Sequence, residues 1–315
     1  MSEINVLVPS YNHAASIERA LRSVFAQTRD IKKLIVIDDG SKDESVQIIE
    51  KVLANSPLAV ELISRKNRGL CATLNEGLSK TAGEYFAYLG SDDLWLPTFL
   101  EEQTNLLEAR RNAVLAFAHA YVIDENEMII DRTDNWSGFA DGDMLPFLLR
   151  GEIFSSPGVV YRRSAVEKYG WNENAELEDY ELYLKLCGEG EFARNEKILC
   201  AWRLHGSNTS GNFPAMLREH LSAQNRVADK LGIGREELDR IQRELKFRGV
   251  LDYIRGGQKK EAWKLFRENR PGSRSSVDTM RTLARLLTPQ PIFQWNRARK
   301  RRNAISKYGQ LKIES

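Results

Sequence analysis

Leu34-Ile-Val-Ile-Asp-Asp-Gly-Ser41 decides how this 315-residue chain is read. Four aliphatic residues in a row, with no polar residue alternating among them, form a strand buried on both faces. The strand runs directly into two carboxylates and a glycine. Ser41 and Glu44 then stand at capping-box spacing, which predicts a helix from there to about Leu53. The same unit recurs on either side. Ile4-Asn-Val-Leu-Val-Pro9 is a strand closed by proline, followed by the loop Ser10-Tyr11-Asn12 and a helix carried by Ile17, Leu21, Val24 and Phe25. Val60-Glu-Leu-Ile63 leads through Asn67-Arg68-Gly69 into a helix over 70–78. Tyr85-Phe-Ala-Tyr-Leu89 leads through Gly90-Ser-Asp-Asp93 and Pro97 into a helix ending near Arg111. Strand and helix thus alternate four times, which predicts an α/β fold with a mainly parallel sheet flanked by helices. Ligands of such sheets sit beyond the carboxyl ends of the strands. Pro9–Asn12, Asp38–Asp39 and Asp92–Asp93 all fall there.

The pair Asp92 and Asp93 carries the chemistry. Adjacent carboxylates at the end of a buried strand repel one another, and Mg²⁺ or Mn²⁺, held together with substrate phosphates, removes that conflict. The plainer alternative is a solvated Asp-Asp turn that caps the next helix. No Gly-x-Gly-x-x-Gly follows the first strand and no phosphate-binding P-loop occurs, so a dinucleotide fingerprint and a P-loop nucleotide site are both excluded. Further on, Glu178 and Asp179 open a helix over 177–186. Acids in a first turn are stabilised by the helix dipole by about 0.3–1 kcal/mol, which would account for them structurally. Trp95, Trp136, Trp171 and Trp202 lie in or beside these segments, where such rings pack in the core or stack on sugars and bases.

Composition separates two parts. Residues 1–215 hold 22 basic and 33 acidic side chains, and residues 216–315 hold 24 and 11. An acidic body that admits a phosphorylated ligand needs a cation, whereas a basic extension seeks an anionic surface or partner. The extension reads as helices over 216–230, 236–254, 259–267 and 277–287. Leu286, Leu287, Ile292, Phe293 and Trp295 then precede Arg297, Arg299, Lys300, Arg301 and Arg302. That order suits an anionic membrane surface, with a solvated basic tail as the alternative. No recognition motif accompanies the charge, so nucleic acid is not an expected partner. Cys71, Cys187 and Cys200 fit neither a disulfide framework nor a zinc pattern. No apolar run reaches eighteen residues, and Met1-Ser-Glu-Ile-Asn5 does not open a signal peptide. The expected location is cytoplasmic, with peripheral attachment at the inner face of the membrane.

Six segments in order carry a resemblance: Val8-Pro-Ser-Tyr-Asn12, Val36-Ile-Asp-Asp-Gly-Ser41, Asn67-Arg-Gly69, Gly90-Ser-Asp-Asp93, Glu178-Asp-Tyr-Glu181 and Arg203-Leu-His-Gly-Ser-Asn208. Together they resemble family 2 glycosyltransferases, inverting enzymes of the GT-A fold, over about residues 3–212. The resemblance implies that Asp39 contacts the nucleotide base, with Pro9 and Tyr11 lining the same pocket and Arg68 close by. Asp92 and Asp93 match the family's DXD-type motif in its Ser-Asp-Asp form. Asp93 is then the direct ligand of Mn²⁺ or Mg²⁺, and Asp92 orients the ribose or donor sugar. Asp179 matches the catalytic base, and His205 the position near the metal or diphosphate. The implied partners are a nucleotide-sugar donor, UDP-linked, and a glycan or lipid-linked acceptor. Residues 1–213 form the catalytic domain and 214–315 a basic helical extension. A sugar-phosphate nucleotidyltransferase would need a Gly-rich, Arg-containing loop after the first strand, which Pro9-Ser-Tyr-Asn-His13 is not. A degenerate scaffold that only binds glycan or membrane is the non-enzymatic alternative.

Overall fold

A computed structural model describes residues 2–135, 138–139, 141–206 and 211–313. The first half follows the predicted alternation: β1 (Ile4–Ser10), α1 (Ile17–Phe25), β2 (Lys33–Asp38), α2 (Ser45–Leu53), β3 (Val60–Ser64), α3 (Leu70–Ser79) and β4 (Tyr85–Tyr88). These four strands are parallel, in the spatial order β3-β2-β1-β4. The chain therefore winds outward from β1 and then crosses back to β4, so the switch point lies between those two strands. Both faces are covered, as the unbroken apolar runs require. Val6 and Val8 of β1 join one core while Leu7 joins the other, and in β4 Tyr85 and Ala87 oppose Phe86 and Tyr88 in the same way.

The second half is mixed. It comprises β5 (Leu94–Trp95), α4 (Phe99–Ala109), β6 (Ala113–Ile123), β7 (Ile129–Arg132), α5 (Leu145–Leu148), β8 (Val159–Arg162), α6 (Arg163–Glu167), α7 (Tyr180–Cys187) and β9 (Glu191–Arg203). The nine-stranded sheet continues β4-β8-β6-β9-β5, with β8 antiparallel to both neighbours and β7 paired on β6. The strand β6 runs unbroken through eleven residues, with register shifts against β9 near Phe117–Ala120. The expected capping box does not form. Ser41 Oγ donates to the Asp38 carboxylate, and α2 begins four residues later at Ser45, where Asp43 Oδ1 takes the Ser45 N–H at 3.0 Å. The three cysteines are unpaired, with Cys71 and Cys200 buried.

From residue 213 to 308 the regular structure is helical: α8 (Phe213–Val227), α9 (Arg235–Arg255), α10 (Lys259–Asn269), α11 (Ser276–Leu287) and α12 (Gln290–Tyr308). Phe247, Val250, Ile254, Ala262, Phe266 and Leu286 make a small core of its own. It is fastened to the sheet unit on two sides. Ala223 and Val227 of α8 belong to the core beneath α7. At the other end the chain returns: Leu311 is buried with Leu94, Ile123, Ile129 and Ala201, its N–H donating to Glu127 O at 2.9 Å. Leu311→Ala is therefore expected to lower stability by about 2–5 kcal/mol in urea denaturation, as for a buried leucine with a closed shell. A change under about 0.5 kcal/mol would mean that the returning segment is not anchored.

Candidate active site

Three turns are tied to one rim by polar contacts of the first of them. Asn12, at φ 56°, donates its N–H to Ser41 Oγ (2.8 Å) and accepts from Lys42 N–H through Oδ1 (2.7 Å). His13 N–H donates to Ser45 Oγ (3.0 Å), and His13 Nδ1 lies 2.7 Å from Ser91 Oγ. The loop after β1 thus joins the turn after β2 to the turn after β4, at the switch point of the sheet. Pro9 is buried within β1, whereas the Tyr11 ring is 42 % exposed above it.

The two acids after β2 divide their work. Asp38 caps its own turn, accepting from Gly40 and Ser41 N–H at 3.1 and 2.9 Å. Asp39 faces the next loop: Oδ1 accepts from Arg68 N–H (2.9 Å) and from the Arg65 guanidinium, and Oδ2 accepts from Gly69 N–H (2.8 Å). A carboxylate offers about four lone-pair sites, so Oδ2 keeps one for a further donor. Gly40 is required here, at φ 83° and with a Cβ that would meet Asn67 N at 2.8 Å. The Arg68 side chain is half-exposed beside Glu76.

After β4, Gly90 leaves room for the next two carboxylates to come close to the backbone. A Cβ there would stand 2.9 Å from Asp92 Oδ1 and 3.4 Å from Asp93 Oδ2. Asp92 Oδ2 lies 2.9 Å from His205 Nε2. Ligand atoms of His13, Asp92 and His205 all lie within 4.8 Å of one another, and the two rings meet edge-on with centroids 5.8 Å apart. The resemblance assigns the ion to Asp93 and His205. The fold also gathers donor atoms of Asp92, His205 and His13, while Asp93 Oδ1 takes the Arg203 N–H at 2.8 Å and Asp93 Oδ2 lies on the Gly90 side with Asp92 Oδ1. Arg203 is buried and also donates from Nε to Asp92 O (2.7 Å) and from Nη2 to Glu127 Oε1 (3.1 Å).

Asp179 is the residue before α7, and its carboxylate faces the backbone N–H groups of Asp179 and Tyr180. Its neighbour Glu178 accepts from Tyr88 OH at 3.5 Å, which brings the start of α7 to the end of β4. Burial, then the Asp92 carboxylate, hold Asp93 well above the usual carboxylate range, against the pull of Arg203. Burial raises Glu178, and burial and Glu178 raise Asp179 well above its ordinary value. A cluster of acids so placed has unmet demand for positive charge. Of the tryptophans, Trp95 and Trp171 are core residues, with Trp95 Nε1 donating to Pro157 O at 2.7 Å, and Trp202 is half-buried. Trp136, Ser207 and Asn208 lie outside the described residues.

Residues 5–170 match the family model described as glycosyl transferase family 2. The chain belongs to that family. This glycosyltransferase is 30 % identical over 170 residues to an uncharacterized glycosyltransferase of Nostoc sp., covering 53 % of this chain and 52 % of that one. It is 31 % identical over 237 residues to the chondroitin synthase of Escherichia coli, covering 73 % of this chain and 33 % of that one. The chain thus spans about half and a third of those relatives' lengths. Among solved structures it resembles the Pyrobaculum calidifontis mannosyltransferase in complex with GDP-Man and Mn²⁺ (TM-score 0.63, 15 % identity, 98 % and 87 % coverage). It also resembles Staphylococcus aureus TarS 1–349 in complex with UDP-GlcNAc (TM-score 0.59, 16 % identity, 98 % and 92 % coverage). At these identities the likeness is one of fold: the glycosyltransferase has the GT-A architecture.

Three residues of the rim had no role in the sequence reading. His13 directly follows Pro9-Ser-Tyr-Asn12, and a histidine in a loop after a strand on the ligand rim was the available signal. Ser91, held by His13, gave no signal of its own. Arg203 stood within a quoted segment, but its contacts with Asp92, Asp93 and Glu127 join three distant segments and no spacing reports them.

Proposed function

We propose that this glycosyltransferase moves a sugar from a UDP-sugar to a hydroxyl of a glycan or lipid-linked acceptor, with inversion, in cell-surface polysaccharide synthesis. The observation that carries the proposal is the meeting, at the end of β4, of the Asp92–Asp93 pair with His205 and of the Tyr88–Glu178 contact that brings up Asp179. Asp39, with one acceptor site left, takes an N–H of the base, with Pro9, Tyr11 and Arg68 around it. Asp179 removes the proton from the acceptor hydroxyl. One base and no second acid in the role of a nucleophile correspond to a single in-line displacement. Names and complexes of the similar proteins support the donor and acceptor classes: UDP-GlcNAc and GDP-Man in the two structures, chondroitin synthase among the relatives.

The rim fits a divalent cation. His205 and the Asp92–Asp93 pair would hold it, with His13 in reach, and Asp92 would also orient the donor. Imidazole with carboxylate suits Mn²⁺ better than Mg²⁺, which prefers oxygen alone. Such an ion supplies Lewis-acid neutralisation of the diphosphate leaving group. The close approach of both carboxylates to Gly90 gives a test, because an added Cβ would push the Asp92 and Asp93 side chains aside. Gly90→Ala is expected to weaken Mn²⁺-dependent UDP binding by about 10–100-fold in calorimetry; unchanged affinity would remove the ion from the Asp92–Asp93 carboxylates.

Thermal shift with UDP-, GDP- and dTDP-sugars in the presence of Mn²⁺, followed by NMR of the product, tests the whole reading. UDP-sugars are expected to stabilise the protein and the product to carry the inverted anomer. No stabilisation by any nucleotide sugar, or retention at the anomeric carbon, would overturn it.

A further inference from the structure

The helices α11 and α12 each carry exposed apolar side chains among their cationic residues. Seven large hydrophobic side chains are exposed among the described residues, and five lie here: Val277, Met280, Leu287, Ile292 and Trp295. Positions 277, 280, 284 and 287 recur at three- and four-residue steps, so they share one side of α11. Thr282 and Leu286 occupy the opposite side and are buried against the helical core. None of the residues of α12 is buried. Ile292 and Trp295 stand one step apart on it, with the Arg299 guanidinium 5.6 Å over the Trp295 ring. From Thr279 to Tyr308 there are eight lysines and arginines and no acidic residue. Among the described residues only Arg301 of these eight has a carboxylate partner, Asp124 at 2.7 Å.

We propose that the exposed apolar and cationic side chains of α11 and α12 dock this glycosyltransferase on an anionic lipid surface. The two halves of the pattern select that occupant. A nucleic acid would match the charge and leave Met280, Leu287 and Trp295 in water. A second copy meeting through the same side chains would cover the apolar residues but set like charges together. A lipid interface takes aliphatic side chains and tryptophan at headgroup level, and its anionic headgroups meet arginine and lysine at any spacing. Helix α12 is also linked to the catalytic rim. Arg301 holds Asp124, whose carbonyl accepts from Arg203 Nη1 at 3.1 Å, and the Arg203 N–H holds Asp93. Docking would therefore fix the orientation of the rim relative to the surface, whichever sugar is transferred.

Sedimentation of the full chain with vesicles tests the proposal. Binding is expected to phosphatidylcholine vesicles containing phosphatidylglycerol, not to phosphatidylcholine alone, and to be released by salt. Replacing Arg299, Lys300 and Arg302 together by glutamine is expected to weaken partition about 100-fold, near fivefold for each charge. Met280→Gln with Leu287→Gln keeps the charge and is also expected to weaken binding. Both changes are on exposed side chains, so circular dichroism and melting should match the unchanged protein. Absence of vesicle binding, equal binding to both lipids, or binding that survives either variant would overturn the proposal. So would a concentration-dependent dimer that Leu287→Gln dissociates in the absence of vesicle binding, which would assign these side chains to a second copy.

Discussion

Asp179→Asn is expected to lower turnover on the true acceptor by about 10²–10⁴-fold while donor affinity stays within about twofold. The side chain stands at the start of α7 beside the Tyr180 N–H, and asparagine keeps an oxygen for that donor, so the fold should tolerate the change. Burial and the adjacent Glu178 hold its proton affinity above that of an ordinary carboxylate. A base must be ionised to act. The acid limb of the rate profile should therefore lie above the ordinary aspartate range, with activity lost as pH falls through the raised value. Glu178→Gln removes the second of the two causes. Asp179 then ionises more readily, and the limb should move to lower pH. A near-normal rate in Asp179→Asn, or a limb that ignores Glu178→Gln, would show that another group takes the proton.

The second large effect is expected at Asp93. Asp93→Asn should abolish the Mn²⁺-dependent part of UDP binding, read by calorimetry with and without the ion. Asparagine keeps an oxygen for the Arg203 N–H, whereas Asp93→Ala would leave that buried donor unmet at a cost of about 1–3 kcal/mol. The asparagine variant thus separates charge from architecture. Asp92→Asn and His205→Ala form the comparison, because the fold sets those two side chains against one another. If UDP affinity with Mn²⁺ survives Asp93→Asn but falls in Asp92→Asn and His205→Ala, Asp92 is the carboxylate that holds the ion. If it survives all three, the ion does not bind on this rim.

The strands of the first half were legible because a strand buried on both faces needs a continuous apolar run, and β1, β2 and β4 have one. Position at the carboxyl end followed from the alternation alone, which is why Asp39, Asp92 and Asp93 were visible as candidates. Short-range polar signals were less faithful. Ser41 has a capping residue's chemistry, but Asp38 and Asn12 offer its hydroxyl closer partners, and the helix starts later. The strands β5 and β7, of two and four residues, are too short for any period to declare itself. The helix α12, with its run of arginines and no buried side, showed no helical period and read only as apolar residues followed by a basic cluster. Leu311 gave no signal, since one leucine acquires a core only when its segment returns to β7.

What the sequence determined by itself is the α/β alternation, the rim and the acids upon it, all written within stretches of about ten residues where backbone geometry links neighbours directly. What only the tertiary structure decided is which side chains share a site. His205 meets Asp92 across 113 positions, and His13 reaches Ser91 across 78. Those contacts depend on the order in which parallel strands are laid beside β1 and on the register of β6 against β9. Neither is a local property of the chain, because a strand's neighbours are chosen by the packing of the whole sheet.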